Sequence, residues 1–353
     1  MDTIRVGIIG YGKVGRIRQK IIENHPHFTL VGLSDVVKPN EKLKYPFFSN
    51  YNSLLDKNID AVFICTPNRF TADIAVSALN KKKHIFCEKP PGRTVEDVKK
   101  IINAEKKNKG LKVKFGFNHR YHDGIMEAKS IVDSGRLGPI LWMRGIYGKS
   151  GGVEFEKSWR SQQEIAGGGI LLDQGIHMLD LFRFFCGDFD EVKSFVTNSY
   201  WNIDVEDNVF AIFRNKKNQT AMIHSSSTQW KHMFRLEIFM KNGYAIVTGI
   251  LSSTKSYGQE NVIVGRRQFE DESFAMGNPR EEILYFGEDN SWKLEIDEFA
   301  NSILENKPIT HGTSEDALKA MEMVYQIYNA DEKWTKKMKK GVKHETRCNL
   351  RGF

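Results

Sequence analysis

The sequence predicts an α/β protein: a doubly wound parallel sheet in the first third, followed by an α+β domain on a mainly antiparallel sheet. Three observations carry this expectation. Up to about residue 120, short apolar runs alternate with helix-length amphipathic stretches, the pattern of parallel β-α-β units. A glycine-rich turn stands between the first run and the first helix. Farther on, β-branched and aromatic residues alternate along several segments, as on strands with one buried face.

Strands are predicted over 4–10, 29–35, 60–66, 84–87 and 112–117, with helices over 13–24, 70–82 and 94–108. Thr94 caps the last of these helices, Glu96 and Asp97 favour its first turn, and Gly110 stops it. A helix over 123–134 leads to strands over 140–147, 191–201, 208–213, 220–226, 235–240 and 244–248. Asn242-Gly243 predicts a type I′ hairpin turn between the last two. Helices return over 294–305 and 314–328, and no repeat or Gly/Ser linker interrupts the chain.

A chain of 353 residues exceeds the size at which one core stops growing, so two domains are expected. Apolar residues at 40% and charged residues at 27% exclude a disordered chain. No apolar run approaches the ~20 residues that cross a bilayer, and no signal-peptide pattern opens the chain, so a soluble, cytoplasmic protein without a membrane partner is expected. Cys65, Cys87, Cys186 and Cys348 stand far apart, which suggests neither a zinc site nor a disulfide framework. The net charge of +8 concentrates in residues 332–353, where eight Lys or Arg face two Glu. Such a tail, without interleaved aromatics, predicts a solvated terminus and no nucleic-acid partner.

The turn Gly10-Tyr11-Gly12-Lys13-Val14-Gly15 follows a strand and opens a helix. In that context the first glycine permits the turn, the second lets backbone approach a pyrophosphate, and the third lets helix meet strand. Asp35 ends the second strand, 25 positions after Gly10, where a carboxylate accepts from both hydroxyls of an adenine ribose. It would repel a 2′-phosphate, and no Arg follows at 36 or 37, so NAD is favoured over NADP. A plain turn aspartate is the other reading of Asp35.

The next strand ends in Cys65-Thr66-Pro67-Asn68, and the one after it in Cys87-Glu88-Lys89-Pro90. Both lie at the carboxyl edge, where open α/β sheets bind ligands. Lys89 precedes a proline and cannot readily enter a helix; its ammonium is either catalytic or an ordinary surface charge. Base rates predict a trans Lys89–Pro90 bond. Asp173 and His177, after the triplet Gly167-Gly168-Gly169, share a face at i, i+4 if the segment is helical, with Asp180 one turn on. An acid beside an imidazole makes a proton-transfer pair. The same spacing also describes a surface ion pair. No third ligand stands at a metal-binding spacing, and no G-x-S-x-G elbow occurs.

Taken together, the glycine turn, Asp35, Thr66-Pro67-Asn68, Glu88-Lys89-Pro90 and the segment 167–180 resemble the Gfo/Idh/MocA oxidoreductases over roughly residues 4–330. The resemblance implies a Rossmann domain over 1–121, a substrate-binding and oligomerisation domain over 122–331 on a large open sheet, and homodimers or homotetramers. It implies a catalytic group of Lys89, Asp173 and His177, with Lys89 and His177 sharing acid/base work and Asp173 orienting it. Cofactor contacts are implied for Gly10, Tyr11, Gly12, Lys13, Val14, Gly15, Asp35, Thr66, Pro67, Asn68, Glu88, Lys89, Trp159 and Arg160. Substrate contacts are implied for Lys89, Arg120, Tyr121, Arg160, Asp173 and His177. Phe70 departs from the family, which often has His there. Residues 159–180 and 201–208 look most like members acting on nucleotide-linked sugars for surface polysaccharides. A free sugar or inositol-type polyol is the alternative substrate, and a non-catalytic NAD-binding regulator the alternative class.

Overall fold

A computed structural model describes residues 3–252, 254–268 and 277–337. Its first elements are β1 (Ile4–Ile9), α1 (Lys13–Glu23), β2 (Phe28–Ser34), β3 (Phe47–Phe48), α2 (Tyr51–Leu55), β4 (Ala61–Ile64), α3 (Asn68–Asn80), β5 (His84–Cys87), α4 (Val95–Lys107) and β6 (Val113–Phe115). Then come α5 (Asp123–Asp133), β7 (Ile140–Gly148), α6 (Gln163–Ala166), α7 (Ile176–Cys186), β8 (Glu191–Thr197), β9 (Asn208–Arg214), β10 (Thr220–Ser226), β11 (Met233–Met240), β12 (Gly243–Thr248), β13 (Asn261–Arg266), β14 (Glu281–Tyr285), α8 (Ser291–Leu304) and α9 (Ser314–Ala330). The chain splits into two compact units: Met1–Ile125, Ser158–Gly168 and Glu288–Met321 form one, and Met126–Lys157, Gly169–Gly287 and Glu322–Phe353 the other. From residue 338 on, the expected basic tail lies outside the described residues.

In the first unit six parallel strands run in the order β3-β2-β1-β4-β5-β6. This is the doubly wound Rossmann order, which reverses beside β1. β4 (Ala-Val-Phe-Ile) is buried at every position, as befits a central strand covered on both faces. Thr94 and Asp97 close a full capping box at the start of α4. Phe63 stacks on Phe86 at 5.1 Å, and Phe299 of α8 meets both edge-on at 5.8 and 5.7 Å. An element from the far end of the chain thus completes this core.

The second unit holds an eight-stranded sheet in the order β14-β13-β12-β11-β7-β10-β9-β8. Every neighbouring pair is antiparallel except β7 and β10. The hairpin between β11 and β12 differs from the sequence expectation. Met240 pairs with Gly243, so Lys241 and Asn242 form the turn, and neither has positive φ. Gly243 instead serves strand packing: a Cβ there would come 2.3 Å from the Gly265 carbonyl oxygen. β3, α2, α6, β13 and β14 had no counterpart in the sequence reading; β3 has only two residues, too short to show a period.

Candidate active site

The glycine turn in the first unit has the geometry of a phosphate cradle. Gly10 adopts φ 91°, and a Cβ there would lie 2.5 Å from the Cys65 carbonyl carbon. A Cβ on Gly15 would come 2.1 Å from the Gly10 carbonyl oxygen. At Gly12, by contrast, nothing lies within 4 Å, leaving room for a group to approach the backbone. Gly12 caps α1 without a side-chain bond, and no acidic residue occupies the first turn. The N–H groups and dipole of α1 thus suit an anion. Asp35 lies beside this loop: its Oδ2 accepts from the Tyr11 N–H at 2.6 Å. The glycine turn and the acidic residue are therefore brought together by residues of one unit.

Around the ends of β4 and β5 the chain is held by its own polar groups. Asn68 is buried and donates from Nδ2 to the Ala166 carbonyl at 2.7 Å. Arg93 donates to the Glu164 carbonyl at 2.7 Å. These bonds tie the segment 158–168, with Trp159 and Arg160 stacked at 4.3 Å, to the first unit. Glu88 accepts from Arg18 Nε at 2.6 Å, and Arg18 donates from Nη2 to Glu295 at 2.5 Å. Arg18 is fully buried, sandwiched 4.4 Å from both Phe86 and Trp292. Burial pushes the Glu295 carboxyl above its usual range, although Arg18 pulls the other way. Lys89 is half-buried, and the Lys89–Pro90 bond is cis, not trans as base rates predict.

Arg120 and Tyr121, expected at the substrate, have their polar ends engaged in the same unit. Arg120 pairs with Asp316 through both terminal nitrogens at 2.9 and 3.3 Å. The Tyr121 hydroxyl donates to Glu298 and accepts from buried Lys114 at 2.7 Å. Burial alone would raise the Glu298 carboxyl, but Lys114 and its hydrogen bonds bring it down to about 2.

In the second unit, the segment carrying Asp173 and His177 is helical, but not uniformly α. Leu171–Gly175 forms a π turn that passes into α7 at Ile176, so the expected i, i+4 face is re-aimed between the two residues. Such turns insert an extra residue and are frequent at functional sites. His177 is buried, while Asp173 is half-exposed and accepts from Lys149 at 2.9 Å. The start of this helix is fixed by Glu206, a buried carboxylate that accepts from the N–H groups of Gly169 at 2.8 Å and Leu171 at 3.0 Å. Tyr328 donates to it as well, at 2.8 Å. Burial raises the Glu206 carboxyl, and these three donors partly offset that. Gly169 permits the approach: a Cβ there would lie 2.1 Å from the Glu206 carbonyl oxygen.

Sequence reasoning missed Arg18, Lys149, Glu206 and Glu295. Arg18 was detectable, since Gly15, Arg18 and Ile22 form the buried stripe of α1 at i, i+3, i+7. Glu206 gives no such signal, because Asp204, Asp207 and Asn208 around it are polar as well. Lys149 and Glu295 carry none, because their partners are brought to them only by folding. Among the described residues, no group of three His, Cys, Asp or Glu could hold a metal ion, and no helix is long and apolar enough to cross a membrane.

Comparison with known proteins finds family matches in both halves of the chain. Residues 4–117 match the oxidoreductase family with an NAD-binding Rossmann fold, and residues 125–246 the GFO/IDH/MocA C-terminal domain. A levoglucosan dehydrogenase from Pseudarthrobacter phenanthrenivorans is 32% identical over 211 residues, covering 55% of this chain and 54% of the relative. An inositol 2-dehydrogenase from Salmonella typhimurium is 35% identical over 152 residues, covering 40% and 45%. The matches thus span about half the length of these relatives. Among solved structures, levoglucosan dehydrogenase with NADH and levoglucosan has a TM-score of 0.82 at 22% identity, covering 94% of this chain and 98% of that one. The WlbA dehydrogenase from Bordetella pertussis, with NADH and UDP-GlcNAcA, has a TM-score of 0.75 at 20% identity, covering 93% and 96%. With both family domains matched in order over most of its length, the chain belongs to the Gfo/Idh/MocA oxidoreductase family.

Proposed function

We propose that the protein is an NAD-dependent dehydrogenase of a secondary hydroxyl on a sugar ring, with a nucleotide-linked sugar as its substrate. The observation that carries the reading is the built cradle, with Gly12 open and Asp35 bonded to the Tyr11 N–H. Bound there, the nicotinamide supplies the acceptor, or in reverse the donor, of a hydride. Lys89 and His177 share the transfer of the hydroxyl proton, and Asp173 orients the acid/base group and the substrate. Lys149 competes for the Asp173 carboxylate and so helps fix its position. Relatives that act on levoglucosan and inositol support the sugar-ring chemistry, and the UDP-sugar complex supports the nucleotide-linked substrate. We place the reaction in the cytoplasm, where the free thiols of Cys65, Cys87 and Cys186 would stay reduced.

The test is nicotinamide absorbance with NAD or NADP across nucleotide sugars, free sugars and cyclitols. NAD-linked turnover of a sugar is expected, and Gly12→Val should abolish NADH binding without lowering Tm, since its side chain meets only open space. Tight NADH binding with no turnover of any compound would instead favour a regulator.

We also assign self-association to the open face of the eight-stranded sheet. Phe195, Phe210, Ile212 and Met222 stand 75, 48, 50 and 38% exposed on neighbouring strands, and a contiguous exposed apolar patch marks an interaction site. Light scattering should report a dimer or tetramer that Phe210→Glu dissociates; a wild-type monomer would refute this.

A further inference from the structure

In the second unit, a buried carboxylate holds an exposed aromatic loop in place. Asp207 has no solvent exposure, yet it accepts from three successive backbone N–H groups, those of Ser199 at 2.9 Å, Tyr200 at 2.7 Å and Trp201 at 3.2 Å. Trp201 donates from Nε1 to the Ser227 carbonyl at 2.9 Å. Its ring lies so close to Gly151 that a Cβ there would be 2.4 Å away. Despite this anchoring, Tyr200 and Trp230 remain 64% and 60% exposed. They meet edge to face at 4.9 Å, which leaves ring faces open to solvent.

These rings connect to the proton-transfer segment by direct contacts. Tyr200 lies 5.0 Å from Trp201, Trp201 5.1 Å from Phe155, and Phe155 5.5 Å from the Lys149 ammonium. Lys149 is in turn 2.9 Å from Asp173. Aromatic side chains have few rotatable bonds, so a pre-set pair stacks on a ring at low entropic cost.

We propose that Tyr200 and Trp230 form a distal subsite on which a ring at the far end of the substrate stacks while its reacting hydroxyl lies at Asp173. Two sources share this chemistry: the nucleobase of a nucleotide-linked sugar and the second pyranose of a glycoside. Exposed Lys231, next to Trp230, suits a diphosphate between sugar and base. The inference rests on the reading of Asp173 as part of the reaction centre.

Calorimetric binding of UDP and of maltose to the full-length protein saturated with NADH tests it without requiring turnover. Wild type should bind one of the two, and Trp230→Ala and Tyr200→Ala should each weaken that binding about tenfold. Trp230→Phe, which keeps a ring, should restore most of it, and Val153→Ala, at a 95% exposed neighbour in the 148–157 loop, should change nothing. Preference for UDP identifies the nucleobase, and preference for maltose the glycoside. Three results would overturn the subsite: neither probe binds wild type, the alanine variants bind as wild type does, or they change oligomer mass and so mark a contact between copies. Absence of turnover on every sugar, with UDP or maltose binding still sensitive to Trp230, would count against the dehydrogenase reading and not against the subsite.

Discussion

Replacing Lys89 by Ala is expected to lower kcat by about 10²- to 10⁴-fold, the usual worth of a positioned acid/base group, while NADH dissociation changes little. Lys89 leaves β5 at the carboxyl edge of the parallel sheet, half-buried and next to Glu88, which Arg18 grips at 2.6 Å. The glycine turn and Asp35, proposed to hold the dinucleotide, make their contacts without the Lys89 ammonium, so its removal should leave them intact. Stopped-flow single turnovers separate the hydride step from NADH release. A variant with unchanged single-turnover rate would remove Lys89 from the chemistry and leave His177 to be tested by His177→Asn.

Arg18→Ala is expected to destabilise the protein by about 3–5 kcal/mol, the cost of stranding buried charge, and to lower Tm by roughly 10 °C. Arg18 is the cation between Glu88 and Glu295, and its guanidinium lies between two rings. Without it two carboxyls share a dry site, and the pKa of Glu295, already raised by burial, rises further. A carboxyl whose folded pKa exceeds its unfolded value binds more protons in the native state, so the variant gains stability as pH falls through that folded value. Thermal melts at pH 8 and pH 5.5 should therefore show the deficit shrinking on acidification. A deficit independent of pH would mean that lost packing, not stranded charge, is the cause.

Much of this was legible from residue order because it is local. The strand, glycine turn and helix at 4–23, the Thr94 capping box and the acid at Asp35 are set within windows of a few dozen residues, where periodicity and turn chemistry act directly. The combination that resembles the Gfo/Idh/MocA family was legible for the same reason, each motif being short and the order being linear.

What the sequence by itself determined was thus the two fold classes, the cradle and the motifs bearing Lys89, Asp173 and His177. Only the tertiary structure decided how they are held. The Arg18–Glu295 pair links positions 277 apart, Tyr328 reaches Glu206 across 122 positions, and the segment 158–168 returns to the first unit through Asn68 and Arg93. The π turn that re-aims Asp173 and the register that makes Gly243 a strand residue were likewise decided by packing, against the local signals. The reason is that a buried charge or a close backbone approach is tolerable only when its partner is present, and folding, not adjacency, supplies these partners.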